Sequence, residues 1–196
     1  MRKAILVCPL AETIPAQDAD YYGIDAGALK VKAQGLELKG CMGDFDSLEE
    51  GQSLPADALV FPVRKDETDL ELALALLSEK GYPSFLAVGA LGGRLDHTLA
   101  NLSLMIHCFP GLVLEGKKEQ AFLVPEGITK IAAGYKHTSF FALEPSVISL
   151  RGFDYPLDHR ALKTEDIFTV SNAVKEPVAE VEVHEGRLLC VQSGWK

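Results

Sequence analysis

The sequence predicts an α/β protein, with an N-terminal, mostly parallel three-layer α/β domain over residues 1–120 and a small antiparallel β-sandwich domain over residues 121–196. Three observations carry this reading. Short apolar runs alternate with helix-period patterns in the first part of the chain. Helical periodicity is absent beyond about residue 116. The runs that follow are short, rich in β-branched or aromatic residues, and separated by Gly, Pro, Asp and Asn.

In chain order, residues 4–8 read as the first buried strand. The start, MRKAILVCPL, is basic and then apolar, but Glu12, Asp18 and Asp20 follow quickly and no small-residue cleavage site is evident, so a strand is expected rather than a signal peptide. Residues 21–24, 40–42, 59–63 and 85–88 read as further buried strands. Between the last two lies a predicted helix over 69–79, with Leu70, Ala73, Leu74 and Leu77 on one stripe. Thr68 is its expected N-cap, Glu71 the partner in a capping box, and Gly81 the left-handed residue beyond its end. A second helix begins near Leu95, with Leu95, Leu99, Leu102 and Ile106 as its apolar stripe and His97 and Asn101 together on another face; Pro110 and Gly111 end it. Runs at 128–131, 138–142, 147–150, 167–170, 178–183 and 188–191 read as the strands of the sandwich. At about 75 residues, that second domain is near the lower limit for folding alone.

Acids outnumber bases 28 to 19, a net charge of −9, which opposes binding to nucleic acid or anionic lipid. No apolar run approaches the roughly 18–20 residues needed to span a bilayer. Cys8, Cys41, Cys108 and Cys190 form no C-x-x-C pair and are expected to be reduced and buried, in a cytoplasmic protein. The charge is concentrated: residues 44–71 hold nine acids against Arg64 and Lys65, a local balance of −7. A run of this kind is either a solvated face or a cation site, and spacing has to decide.

Three segments supply that spacing, each at the end of a predicted strand. In Gly43-Asp44-Phe45-Asp46-Ser47, an extended chain points both carboxylates one way while Phe45 turns back into the fold. In Lys65-Asp66-Glu67-Thr68-Asp69, a second carboxylate cluster enters the capped helix, and Lys65 adds a cation able to meet a phosphate oxygen. In Gly89-Ala90-Leu91-Gly92-Gly93-Arg94-Leu95-Asp96-His97, glycines let backbone N–H groups approach an anion in front of a helix N-terminus, Arg94 offers a planar fork to a phosphate, and Asp96 can return to a metal. Each alone has an ordinary structural explanation as a turn or cap. Together, Asp44, Asp46, Asp69 and Asp96 with Lys65 and Arg94 suit divalent-metal phosphoryl or pyrophosphoryl transfer, which needs positioning and charge neutralisation more than a potent nucleophile. No G-x-x-x-x-G-K-[ST] loop, G-x-S-x-G elbow or H-E-x-x-H occurs.

In this order, GDFDS at 43–47, KDETDLELAL at 65–74 and GALGGRLDHTLANL at 89–102 resemble the thiamine pyrophosphokinase family. Asp25-Ala26-Gly27 is similar to the family's Asp-Gly-Gly, and Tyr155-Pro156-Leu157 and Ser171-Asn172 extend the likeness into the second part. The resemblance implies transfer of the diphosphate of ATP to the hydroxyl of thiamine, giving AMP and thiamine diphosphate, with Mg²⁺ and an active site between the subunits of a homodimer. It implies residues 1–120 as the ATP- and magnesium-binding catalytic domain and 121–196 as the thiamine-binding domain. It places Asp44, Asp46 and Asp69 on the metal, and Asp96 beside it or near the substrate hydroxyl. Lys65, Arg94, Gly92 and Gly93 fall to the phosphates, Asp25 to the nucleotide, and Ser171 and Asn172 to the aminopyrimidine ring. Ala26 and Ala173 depart from the family pattern, which leaves open another hydroxylated heterocycle as acceptor, or a non-catalytic thiamine or nucleotide sensor.

Overall fold

In a computed structural model that describes residues 2–45 and 58–195, the chain divides into two units, Met1–Lys117 and Lys118–Lys196. The first begins with β1 (Lys3–Val7), β2 (Ala19–Ile24), α1 (Gly27–Ala33), β3 (Leu38–Gly43) and β4 (Leu59–Val60). It continues through α2 (Asp69–Glu79), β5 (Phe85–Val88), α3 (Leu95–Ser103), a π-helical turn (Leu104–Cys108) and β6 (Leu112–Glu115). Within this unit the strands run β4-β3-β2-β1-β5-β6, each pair parallel. Parallel strands joined by helical crossovers are buried on both faces, which is why β1 reads as an unbroken apolar run. Ile5 and Val7 cluster with Val31 of α1, and the alternating Ala4 and Leu6, equally inaccessible, serve the opposite face. The order turns back on itself at β1, with β2 to β4 on one side and β5 and β6 on the other. Such a reversal leaves a crevice outside the carboxyl ends of the strands, where ligands gather in open α/β sheets.

α2 follows its sequence closely. Thr68 is extended and its Oγ1 accepts from the Glu71 N–H at 3.2 Å, while Leu70, Ala73, Leu74 and Leu77 are buried. At the other end Gly81 (φ 87°) donates to the Ser78 carbonyl and Tyr82 to that of Leu77, so two otherwise unpaired carbonyls are satisfied in a Schellman arrangement. Thr68→Ala removes the cap and should cost about 1 kcal/mol of stability, read as a lower denaturant midpoint with an unchanged slope.

Three local expectations are corrected. β4 is not a buried strand of five residues: it covers Leu59–Val60, both exposed, at the edge of the sheet. α3 does not bury its leucine stripe. Leu95 is 73% and Leu99 58% exposed, and the side chains taken inward are Asn101, then Leu104 and Met105 of the π turn. Asn101 is drawn in because its Nδ2 donates to the Ala90 carbonyl at 2.8 Å. Cys108 is exposed, whereas Cys8, Cys41 and Cys190 are buried; all four are free thiols. The seven-residue α1 had no sequence-level prediction. Among the described residues, no helix is long and apolar enough to cross a membrane.

The second unit contains β7 (Glu119–Val124), β8 (Gly127–Ala132), β9 (Tyr135–Ala142), β10 (Ser146–Arg151), β11 (Leu157–Leu162), β12 (Val178–Glu185) and β13 (Leu188–Trp195). It forms two antiparallel arrays, β7-β13-β9 and β11-β10-β12-β8. Phe140 and Cys190 from the first array share one core with Ile148, Leu150, Val181 and Val183 from the second, so the unit is a sandwich closed around alternating inward residues. The segment 167–170 is a turn rather than a strand. Val170 N–H returns to the Ile167 carbonyl, Thr169 is buried with its hydroxyl on the Phe140 carbonyl, and Ile167 and Phe168 face outward. The segment runs beside the edge of β9 but meets it only at Thr169, whose carbonyl accepts from the Phe140 N–H, so its β-branched composition does not extend into a ladder. β11 carries the opposite bias: it is polar and exposed along most of its length and pairs with β10.

Candidate active site

A cavity of about 560 Å³ opens at the strand-order reversal of the first unit. Its wall joins Cys8, Pro9 and Leu10 after β1, Asp25 after β2, Lys65, Thr68 and Asp69 before and within α2, Gly89 and Ala90 after β5, and Gly93, Arg94, His97 and Asn101 around the start of α3. These are the connections at the carboxyl ends of the strands. Burial, aided by the Asp25 charge, pushes the Cys8 thiol up to about 12, which favours the neutral thiol.

Three carboxylates meet at one side. Asp25, Asp44 and Asp69 each present an oxygen, and these atoms lie within 4.8 Å of one another. Asp25 follows β2 in the left-handed region (φ 48°), its N–H on the Met42 carbonyl, and its Oδ1 accepts from the Phe45 N–H at 3.3 Å. Gly43 makes this approach possible, since a Cβ there would fall 1.8 Å from Asp25 Oδ1. Phe45 does turn back into the fold, against Cys41 and Ala28, but through a left-handed conformation (φ 57°) rather than a continued strand. β3 ends at Gly43, so the extended conformation that would align Asp44 with Asp46 is not continued through Phe45. Asp46 itself lies outside the described residues.

Like charges at this separation repel by on the order of 3 kcal/mol per pair at an effective dielectric constant of 20, so the cluster needs a cation. Lys65 Nζ lies 3.0 Å from Asp69 Oδ1 and 3.3 Å from Asp44 Oδ2, and donates to the Pro62 carbonyl at 3.0 Å. Burial favours its neutral amine, but the contacts with Asp69 and Asp44 outweigh that and hold its pKa above the ordinary lysine value. Asp69 Oδ1 is fully enclosed; the Lys65 contact is a charge contact without hydrogen-bond alignment, and the oxygen has no aligned donor among the described residues.

The third segment is arranged differently from its sequence reading. Arg94 lines the cavity, but Asp96 does not join the carboxylate cluster: both its oxygens are on the Arg94 guanidinium, and Oδ1 also accepts from the His97 N–H. The hydrogen bond from Arg94 holds the Asp96 carboxyl below the usual carboxylate range. Gly93 lines the cavity and Gly92 (φ 85°) shapes the turn before it. Asn101 ties α3 to Ala90 beneath. Ala26 sits at φ −61°, ψ −11°, ordinary helical values, so the departure from Asp-Gly-Gly there requires no glycine conformation.

In the second unit, Asn172 is 3% exposed and its amide is committed to the chain: Oδ1 accepts from the Tyr155 and Ala173 N–H groups and Nδ2 donates to the Tyr155 carbonyl. Ser171 is exposed, in the left-handed region (φ 62°), with its N–H on Ser139 Oγ. Asn172 thus fixes the 154–156 and 171–173 segments against each other, and Ser171 and Tyr155 are the accessible side chains.

Two family models match. Residues 16–112 match the catalytic domain of thiamin pyrophosphokinase, and residues 127–188 its vitamin B1 binding domain. The chain belongs to the thiamin pyrophosphokinase family. Thiamine pyrophosphokinase of Bacillus subtilis is 28% identical over 185 residues, 88% of this chain and 86% of that protein. A crystal structure of a thiamin pyrophosphokinase family protein from Enterococcus faecalis has 28% identity and a TM-score of 0.82, covering 99% of this chain and 100% of that one. The Bacillus subtilis crystal structure, at 23% identity, shares the fold with a TM-score of 0.86 over 98% of this chain and 99% of that one. Thiamin pyrophosphokinases are transferases that move the pyrophosphoryl group of ATP to thiamine, and this chain is an enzyme of that family with those two small-molecule substrates. The one cluster member that the sequence assigned elsewhere was Asp25, given to the nucleotide. Its position just after a buried strand was the available signal.

Proposed function

We propose that the first unit binds ATP with magnesium and performs the transfer, that the second holds thiamine, and that Asp25, Asp44 and Asp69 are the metal-holding carboxylates, with Asp46 beside them in sequence. The observation that carries this is the convergence of three carboxylates, one with an enclosed oxygen lacking an aligned donor, two of which, Asp25 and Asp69, line a cavity together with Lys65 and Arg94. All-oxygen donors of this charge fit a hard divalent cation such as Mg²⁺. When bound, that ion supplies charge neutralisation on the phosphates. The chain's own residues do the rest. Arg94, with Asp96 orienting its guanidinium, presents remaining donors to the transferring group. Gly92 and Gly93 leave the backbone in front of α3 open to phosphate oxygens. The acceptor hydroxyl oxygen forms the new bond to the β-phosphorus and gives up its proton to solvent, the bond from the β-phosphorus to the α–β bridging oxygen breaks, and AMP departs with that oxygen. Ser171 is assigned to the aminopyrimidine ring, and Asn172 shapes the loop that presents it.

The working unit is proposed to be a homodimer with active sites at the subunit interface. Exposed Leu95 and Leu99 stand on the same helix as the cavity residues His97 and Thr98, and exposed Leu10 lines the cavity itself, so a second copy covering them would also border the site. We place the enzyme in the cytoplasm, a compartment that supplies its ATP. The purified protein with Mg²⁺, ATP and thiamine should yield AMP and thiamine diphosphate in equal amounts, resolved by chromatography. ADP with thiamine monophosphate, or binding of both substrates without turnover, would overturn the reading.

A further inference from the structure

Lys65 stands among the carboxylates assigned above to a divalent cation. Its side chain is 10% exposed and is anchored at three points, Asp69 Oδ1, Asp44 Oδ2 and the Pro62 carbonyl. It is therefore held inward, unlike a surface lysine in transient contact with an acid. Asp69 Oδ1, enclosed and without an aligned donor among the described residues, has this ammonium as its counter-charge at 3.0 Å. A hard divalent cation would draw on the same two carboxylates. Two cations within a few ångströms of one oxygen repel strongly in a site shielded from water, so metal and ammonium compete unless the lysine has somewhere else to go. The cavity offers that place, because Lys65 lines it together with Gly93 and Arg94, the groups assigned to phosphate.

Resting on the metal assignment above, we propose that Lys65 is a competitor built into the metal site, released onto a phosphate oxygen when nucleotide enters. The metal alone then binds weakly and, with nucleotide present, tightly. By linkage the two ligands favour each other's binding, and the lysine carries part of that coupling.

The test is titration of the full chain with Mn²⁺ alone, followed by electron paramagnetic resonance, and again with α,β-methylene ATP. Lys65→Met should bind Mn²⁺ at least tenfold more tightly than wild type without nucleotide, and should gain less from the analogue. Its melting temperature without metal should fall and then rise on adding Mn²⁺ by more than that of wild type, because the carboxylates have lost their counter-charge and the ion that replaces it binds only the folded state. Lys65→Gln, neutral but still a donor, serves the same comparison should Lys65→Met fail to fold without metal. Equal or weaker Mn²⁺ binding in these variants overturns the proposal. Asp69→Asn separates the two levels: if it leaves Mn²⁺ binding intact, the metal assignment falls and takes this inference with it. If it abolishes binding while the lysine variants match wild type, the role of Lys65 alone fails.

Discussion

Asp69→Asn should reduce turnover by roughly 10²- to 10⁴-fold, the loss expected when several kcal/mol of metal-dependent charge stabilisation is withdrawn, at about 1.4 kcal/mol for each factor of ten. Asparagine keeps the shape of the side chain but lacks the charge that an oxygen shared with Lys65 and a divalent cation requires. The fold should survive. Asp69 is the first residue of α2, so the substitution removes a favourable charge from the helix N-terminus, about 0.3–1 kcal/mol, and at the same time relieves repulsion from Asp25 and Asp44. AMP release at saturating substrates, beside a thermal unfolding curve, checks both halves. Turnover within tenfold of wild type would remove Asp69 from the catalytic apparatus.

Gly27→Ala should strongly destabilise the fold of the first unit. Gly27 opens α1, and a Cβ there would lie 1.8 Å from the Val7 carbonyl oxygen and 2.7 Å from its carbon. Both are backbone atoms at the end of β1, so no side-chain rotation relieves the clash; either α1 or the strand end must shift. Overpacking of this kind costs about 1–3 kcal/mol, which in a chain of this size lowers the melting temperature by about 2–12 °C. Activity should fall as well, because Cys8 and Pro9, the next residues along, line the cavity. Gly134→Ala is the matched control, since a Cβ there meets nothing within 4 Å. Equal melting temperatures for the two variants would refute the packing argument.

What could be read in advance divides along the range of the interactions. α2 was legible almost to the residue because every determinant is local: the Thr68 cap, the spacing of Leu70, Ala73, Leu74 and Leu77, and Gly81. The strand-ending motifs were legible for a similar reason, since a glycine-flanked acid after an apolar run is a feature of a few consecutive residues. α3 was misjudged at its surface. Its leucines do recur with helical period, but periodicity says only that a face is apolar; Asn101, held by the Ala90 carbonyl, took the inward position. In the second unit, 167–170 has strand-like composition but meets β9 only at Thr169, whereas polar β11 pairs along β10 without strand-like composition.

The sequence by itself determined that this is a two-part α/β and β chain, that its negative charge is concentrated near residues 44–71, and that acids, glycines and an arginine follow successive strands. Tertiary structure alone decided which acids meet. Asp25 enters the cluster because β2 pairs with β3, bringing Asp25 to Gly43, where a glycine lets the carboxylate close in. Asp96 stays out because Arg94, two residues before it, takes both its oxygens. Lys65 stands between Asp44 and Asp69 because the chain leaving β4 returns past the end of β3 before entering α2. Chain order sets what each strand end carries, but strand order and backbone approach set distances, and electrostatic energy depends on distance.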